Sequence, residues 1–215
     1  MRHKIISDLI PTLNTYSQFY IIGTSTDVGK TYVGCKLLDS LLHLNAAWHV
    51  FKPVETGLEG NAVGSDTQNY LNVFQSHSVP KRASDLNLFS LDVPCSPHLA
   101  EQLEKKHFPL EKIIPFCKQK HAFIELAGGL MVPLNENETQ LDLIKARPYP
   151  IVLVAHAGLG TLNHVMLTLD VLKTHVRKLP IHIILNFYEQ DNLIHKTNYD
   201  YLSARYDCFI SPTEN

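Results

Sequence analysis

Short apolar runs alternate along the chain with stretches whose apolar residues recur at three- and four-residue spacing. Residues 19–22, Phe-Tyr-Ile-Ile, read as a buried strand. Residues 30–44 carry Val33, Leu37, Leu38, Leu41 and Leu42 on one face and read as an amphipathic helix. A second strand spans 48–51 and is closed by Pro53; the Gly-, Asn- and Ser-rich stretch 56–66 reads as a loop and 66–74 as a helix. Ser96-Pro97 opens a further helix through Leu103, and 110–120 forms another that Pro115 kinks or shortens. Residues 121–126 give a third strand, which ends in a sharp turn at Gly128-Gly129. The strand 150–155, the helix 162–174, the strand 181–185 and a last helix over 198–205 complete the pattern. Residues 1–17 read as a short extension or extra helix ahead of the first strand.

Strands separated by helices imply βαβ units and a parallel sheet. The runs 19–22, 122–124 and 151–154 are apolar on both faces, as a sheet covered on both sides requires. The expected architecture is α/β, with three layers and a mostly parallel central sheet covered by helices on both faces. No internal repeat or linker interrupts the pattern, so residues 1–215 are expected to form one domain.

Composition narrows the partners more than the chemistry. A formal net charge of −2 over 215 residues gives no electrostatic footprint for nucleic acid or an anionic membrane. No run approaches 18 apolar residues, so no transmembrane helix is expected. Asp8 and Pro11 break the only early apolar run, which argues against a signal peptide. Cys35, Cys95, Cys117 and Cys208 form no CxxC pair and read as reduced, mostly buried thiols of a cytoplasmic protein. The twelve histidines are scattered, without HExxH or paired metal spacing.

The chemistry starts at Gly23-Thr24-Ser25-Thr26-Asp27-Val28-Gly29-Lys30-Thr31, between the first strand and the first long helix. Backbone N–H groups from Thr24 to Thr31 can converge on phosphate oxygens, and the helix points its positive dipole end at them. Lys30 supplies a positive charge for the β- and γ-phosphates, and the Thr31 hydroxyl suits Mg²⁺. This is a P-loop of the nucleoside triphosphatase type, with five residues instead of four between Gly23 and Gly29.

Lys52 stands near the C-terminal end of the second strand, the edge where open α/β sheets bind ligands. A second lysine there suits a transition state that spreads negative charge, although an exposed strand-end lysine has the same sequence. Asp66, after Gly64-Ser65, is a Mg²⁺ ligand candidate or equally a turn or helix cap. Glu125 ends a buried strand, where a carboxylate is costly unless paired or on a metal. Ser96-Pro97-His98 reads as a helix start lining a cleft, and His164 as a surface or packing residue.

Together these segments resemble the dethiobiotin synthetases, the ATP-dependent cyclo-ligases of biotin synthesis. The resemblance rests on residues 23–31, FKPVETG at 51–57, SD at 65–66, SPHLA at 96–100, ELAGGLMVPL at 125–134 and VLVAHAGLGTLNHVMLT at 152–168, in the family's order. It implies a P-loop NTPase-type fold and carboxylation of 7,8-diaminononanoate (7,8-diaminopelargonate) with CO₂ or bicarbonate. The route runs through a carbamate and a carbamic–phosphoric anhydride to the ureido ring. ATP is a substrate and Mg²⁺ the cofactor. By position, Thr26, Lys30 and Lys52 hold the carbamate and the transferring phosphoryl group, and Asp27 lies near the reacting amine. Gly23, Thr24, Asp27, Val28, Gly29, Lys30 and Thr31 match the nucleotide-binding loop, and Asn186 the residue that reads the adenine. Thr31, Asp66 and Glu125 match the Mg²⁺ ligands. Thr56 matches a small hydroxyl residue near the carbamate. Gly158, Leu159, Gly160, Thr161 and Asn163 match the cradle of the substrate carboxylate, a pocket completed across a homodimer interface. Asn163 is equally a candidate helix cap.

Three positions depart from the family. Ser25 replaces an Asp, and Leu126 follows Glu125 where the family has Gly, a change that bears on the backbone path of Glu125. The chain ends at Asn215, so 209–212 is expected to be the vestige of a turn that helps enclose the base. Two other classes fit a P-loop: a switch or scaffold ATPase of the partitioning type, and a non-catalytic nucleotide-binding relic. The partitioning type often carries a signature lysine early in the loop, and 23–28 contains none.

Overall fold

The computed structural model describes residues 3–176 and 178–212. A 3-10 turn (Ile6–Leu9) and α1 (Ile10–Leu13) precede β1 (Gln18–Gly23), α2 (Lys30–Leu44), β2 (His49–Phe51), β3 (Val54–Thr56) and α3 (Ser65–Ser76). The chain continues through α4 (Ala83–Leu86), β4 (Phe89–Leu91), α5 (Pro97–Glu104), α6 (Leu110–Phe116) and β5 (Ala122–Gly129). It ends with α7 (Gln140–Ala146), β6 (Ile151–His156), α8 (Thr161–His175), β7 (Ile181–Tyr188), α9 (Leu193–Ser203) and β8 (Asp207–Pro212).

Six strands form one sheet in the order β2-β5-β1-β6-β7-β8, every neighbouring pair parallel. Alternation along each strand divides the core in two. Phe19, Ile21, Phe123, Val152 and Ile184 face α1, α2 and α3. Tyr20, Ile22, Ile124, Leu153 and Ile183 face the residues of α5 to α9. Phe19 stacks on Phe123 at 5.3 Å, so the layer beneath α2 is aromatic at its centre. Each such fully buried large side chain contributes roughly 1.5–3 kcal/mol by leaving water.

β1 lies between β5 and β6, so the crevice at its C-terminal end opens where the sheet switches direction. The pairing of β1 with β5 shifts register between Ile21↔Glu125 and Gly23↔Gly129, which brings Ala127 and Gly128 out toward the P-loop.

The helix over 30–44 has the predicted bounds. Several other elements differ. The stretch read as a loop from residue 56 begins inside β3, which pairs in parallel with β4 to make a separate two-stranded sheet. Three-residue strands carry too little periodicity to stand out. Helices α4 and α7 were not anticipated; each is short and has at its third position an Asp that accepts the N-cap backbone N–H, Asp85 from Arg82 and Asp142 from Thr139. Helix α6 stops at Phe116, one residue past Pro115. The last helix begins at Leu193, not 198, because the Asn192 side chain accepts from the N–H groups of Ile194 and His195. The expected vestigial turn at 209–212 is instead edge strand β8, joined at Ile210 by a parallel bridge from Ile5.

Helices α2 and α3 meet at Gly34. A Cβ there would lie 2.0 Å from the Tyr70 hydroxyl oxygen. Gly34→Ala gains up to about 1 kcal/mol of helix propensity, but overpacking costs about 1–3 kcal/mol or more. A net loss of about 1–2 kcal/mol is expected in urea unfolding, and an unchanged midpoint would refute this contact.

Candidate active site

A cleft of about 350 Å³ opens at the C-terminal ends of β1, β2 and β5. Thr26, Asp27, Gly29, Lys30, Thr31, Lys52, Thr56, Asp66 and Glu125 all line it. The P-loop path explains its left side. Asp27 (φ 59°) and Gly29 (φ 82°) both take left-handed backbone, so the chain curls and its N–H groups turn inward. Gly29 is required twice over: the angle disfavours side chains, and a Cβ would sit 2.1 Å from Asn186 Nδ2.

Glu125 is the electrostatic centre. Its side chain is 0% exposed. Alternation turns it toward α2 and sends Leu126 into the opposite core, so leucine at 126 leaves the carboxylate's reach intact. Thr31 Oγ1 donates to Glu125 Oε1 at 2.9 Å, Tyr70 donates its hydroxyl to Oε2, and the Lys52 ammonium donates to Oε1. Lys52 Nζ also lies 2.6 Å from Asp66 Oδ2. Burial opposes the Lys52 charge, but Glu125 and Asp66 outweigh it, and the pKa is raised above 10.5. Burial likewise opposes ionised Asp66; Lys52 prevails, and the carboxyl pKa falls below 3.8. Burial and the Glu125 charge push the Tyr70 phenol well above 10, so it remains a donor.

Lys30 is compensated differently. It is buried and its Nζ donates to the Ser25 carbonyl at 3.2 Å. Burial first, then the Lys52 charge, lower its pKa from 10.5. An anion entering the cleft would remove that penalty.

Two residues of the site escaped sequence reasoning. Glu55, on β3, accepts the Asp66 N–H at 2.8 Å and the Thr67 N–H at 3.2 Å, capping α3 from a distant strand. Gly64 makes room for it, since a Cβ there would come within 2.2 Å of the carboxylate. Burial raises the Glu55 pKa against the opposing bond from Thr67. Tyr70 is the other; its place on the buried face with Thr67 and Phe74 was the available signal, because a buried hydroxyl needs a partner. Cys35 stands near the same charges, but burial and Glu125 push its thiol up to about 12. All four cysteines are free; Cys117 and Cys208 are buried, Cys35 and Cys95 half-buried.

The remaining predicted residues lie around this cleft or away from it. Gly23 and Val28 pack under Lys30, and Thr24 lines a neighbouring cavity of about 440 Å³ with Thr26, Met131 and Leu167. Asn186 is fully buried behind Gly29; Nδ2 donates to the Val28 carbonyl at 3.0 Å, and Oδ1 has no partner among the described residues. Gly158, Leu159, Gly160, Thr161 and Asn163 do not line the cleft. Leu159 is 91% exposed, and Thr161 Oγ1 is buried without a partner among the described residues. Gly160, not Asn163, is the N-cap of α8. His98 bonds to Ser96 Oγ at 3.0 Å and is absent from the cleft lining, and His164 is exposed. No helix among the described residues is long and apolar enough to cross a membrane.

The hard oxygen donors Thr31, Asp66 and Glu125 fit Mg²⁺, and the Lys52 ammonium already lies between the two carboxylates as a cation does.

A family model described as an AAA domain matches residues 17–207. The chain is 36% identical over 169 residues to the ATP-dependent dethiobiotin synthetase of Francisella tularensis subsp. holarctica, covering 75% of this chain and 76% of that one. It is 39% identical over 157 residues to the corresponding synthetase of Lawsonia intracellularis, covering 73% and 70%. With that of Clostridium botulinum (strain Alaska E43) the identity is 32% over 191 residues, covering 83% and 82%. Among solved structures, a protein assigned to plasmid partition in Borrelia burgdorferi B31, bound to AMPPNP, is similar with a TM-score of 0.54. It is 12% identical, covering 93% of this chain and 87% of that one, a likeness of fold alone.

The Lys52–Asp66 pair sets a pH dependence. Asp66 stabilises the fold above pH 3.8, and its share is lost as pH falls through its lower folded pKa. Lys52 stabilises below pH 10.5, and its share is lost as pH rises through its higher folded pKa. Urea unfolding across pH should therefore show Asp66→Asn with a shallower acid limb than the parent; parallel limbs would contradict the pairing. Tyr70→Phe leaves a buried carboxylate one donor short and should cost about 1.5–3 kcal/mol in the same measurement at pH 7.

Proposed function

The chain belongs to the ATP-dependent dethiobiotin synthetases, which are ligases, and from that premise we propose that it forms dethiobiotin for biotin biosynthesis. The substrates are 7,8-diaminononanoate, CO₂ and ATP. One amine takes up CO₂ as a carbamate, whose oxygen attacks the γ-phosphate of ATP and expels ADP. The second amine closes the ureido ring on the resulting carbamic–phosphoric anhydride and expels phosphate. The single observation that carries this reading is the meeting of two buried lysines, Lys30 and Lys52, with the P-loop in one cleft.

In this reading Lys30 neutralises charge on the transferred phosphoryl group and Lys52 that on the carbamate oxygens, with Thr26 orienting them. Asp27, at the loop's left-handed bend, faces the reacting amine, and Thr56 holds the carbamate. Thr31, Asp66 and Glu125 would hold Mg²⁺, which would supply positive charge against that of the phosphate groups. The catalytic task is positioning and electrostatics, since no side chain need become covalently bonded.

The turn from Gly158 to Asn163 would take the distant substrate carboxylate in a pocket completed by a second copy of the chain. Exposed Leu159 supports this, as do Met131 and Leu167, which line the cavity beside Thr26. The buried Asn186 carboxamide, with its free Oδ1, would read the adenine. A cytoplasmic setting agrees with four free thiols.

The purified protein, given diaminononanoate, bicarbonate, Mg²⁺ and ATP, should release phosphate only when diamine and bicarbonate are both present. Diamine-independent hydrolysis would instead indicate a switch ATPase, and nucleotide binding without turnover a relic. Lys30→Ala should lower kcat/KM by roughly 10²–10³-fold or more. Lys52→Ala should lower kcat far more than it weakens ATP binding; an effect on ATP affinity alone would remove its transition-state role.

A further inference from the structure

The histidines that look scattered in the sequence include two that the fold brings together. His43 lies in the last turn of α2, one turn after Asp39, and His77 is the C-cap of α3. His77 Nε2 lies 2.8 Å from Asp39 Oδ1, and the two imidazole rings meet edge to face with centroids 4.5 Å apart. One ligating atom from each of Asp39, His43 and His77 falls within 4.8 Å of the other two.

Three features make this arrangement a receptor for a cation. His43 Nδ1 lies 2.8 Å from the Asp39 carbonyl, an atom that only accepts, so Nδ1 carries the proton and Nε2 keeps its lone pair for a ligand. His77 is anchored as well, its side chain only 15% exposed, so little ordering is left for a metal to impose on it. Finally, the C-terminal ends of α2 and α3 converge here, and helix C-termini favour positive charge.

From this geometry we propose that Asp39, His43 and His77 bind a divalent first-row transition metal of the zinc class. Two imidazoles and one carboxylate are the donors that select such ions over Mg²⁺ or Ca²⁺, and three protein ligands leave a coordination position for water. The metal takes the place of the proton between His77 Nε2 and Asp39 Oδ1, and the neutral ring keeps one proton by carrying it on Nδ1 instead. His43 lies 13 residues along α2 from Lys30, about 20 Å at 1.5 Å per residue, so this site is separate from the nucleotide cleft. It ties the C-terminal ends of the two helices whose N-terminal turns carry Thr31 and Asp66.

The test uses the full chain, tag-free and stripped with chelator. Zn²⁺ titrated calorimetrically should bind one to one, and at about a hundredfold excess over Kd it should raise Tm by about 5–10 °C, whereas Mg²⁺ should not. His43→Ala, at a position about two-thirds exposed, should keep the metal-free Tm of the parent yet bind Zn²⁺ at least tenfold more weakly. Asp39→Asn should weaken it likewise. Equal Zn²⁺ affinity in parent and His43→Ala, or no rise in Tm with Zn²⁺, would overturn the proposal.

Discussion

The carboxylate of Glu125 is the group around which the rest of the site, and much of one core layer, is arranged. A carboxylate with no exposure to water costs several kcal/mol unless its charge and lone pairs are met. Here they are met from three separate segments: Thr31 at the start of α2, Tyr70 in α3, and Lys52 just past β2. Each segment is therefore held at a fixed distance from β5. The same ammonium reaches Asp66, so α3 is tied twice, through its first turn and through Tyr70. Removing Lys52 leaves charge uncompensated, and removing Thr31 or Tyr70 leaves a carboxylate lone pair unmet, which makes this network a specification of geometry more than a source of net stability.

Glu55 does for the backbone of α3 what Glu125 does for side chains. A helix beginning Gly64-Ser65 has no side-chain cap of its own, and its first N–H groups instead meet a carboxylate brought from β3. The small β3–β4 sheet thereby gains a role. It carries Glu55 to α3 and Thr56 to the cleft, and it continues the segment that bears Lys52. The backbone of Asp66 is thus held by a carboxylate eleven residues before it, on a strand outside the main sheet.

How much of this was legible follows the physics of each element. A fifteen-residue amphipathic helix repeats its period four times, and six-residue strands buried on both faces stand out as unbroken apolar runs, so α2, β1 and β6 were read nearly to the residue. The P-loop was legible because its chemistry needs a glycine, a lysine and a threonine in fixed order. Lys52, Asp66 and Glu125 were legible as charged groups at strand ends or loops, although only the fold shows that they bond to one another. Glu55, Tyr70 and Gly34 were not singled out, because their meaning lies in contacts between residues 11 to 55 positions apart. Strand β8 was misread because 207–212 begins with Asp and ends in Ser-Pro, turn-like residues that an edge strand tolerates.

The two lysines divide the electrostatic work, and burial explains how. Lys52 has two carboxylate partners, so its charge is compensated before any ligand arrives and its pKa rises. Lys30 has the Ser25 carbonyl and the repulsion of Lys52, so its charge is held at a cost and its pKa falls. Glu125, Asp66 and Asp27 attract Lys30 without overcoming burial and Lys52, so a dianionic ligand would gain more from Lys30 than from Lys52. For Lys52 to reach a ligand it must share or leave its bonds to Glu125 and Asp66, and a second cation between those carboxylates would release it. In the proposed reading Mg²⁺ and Lys52 would compete for the same two carboxylates, and the charge left for a bound nucleotide would follow from that competition.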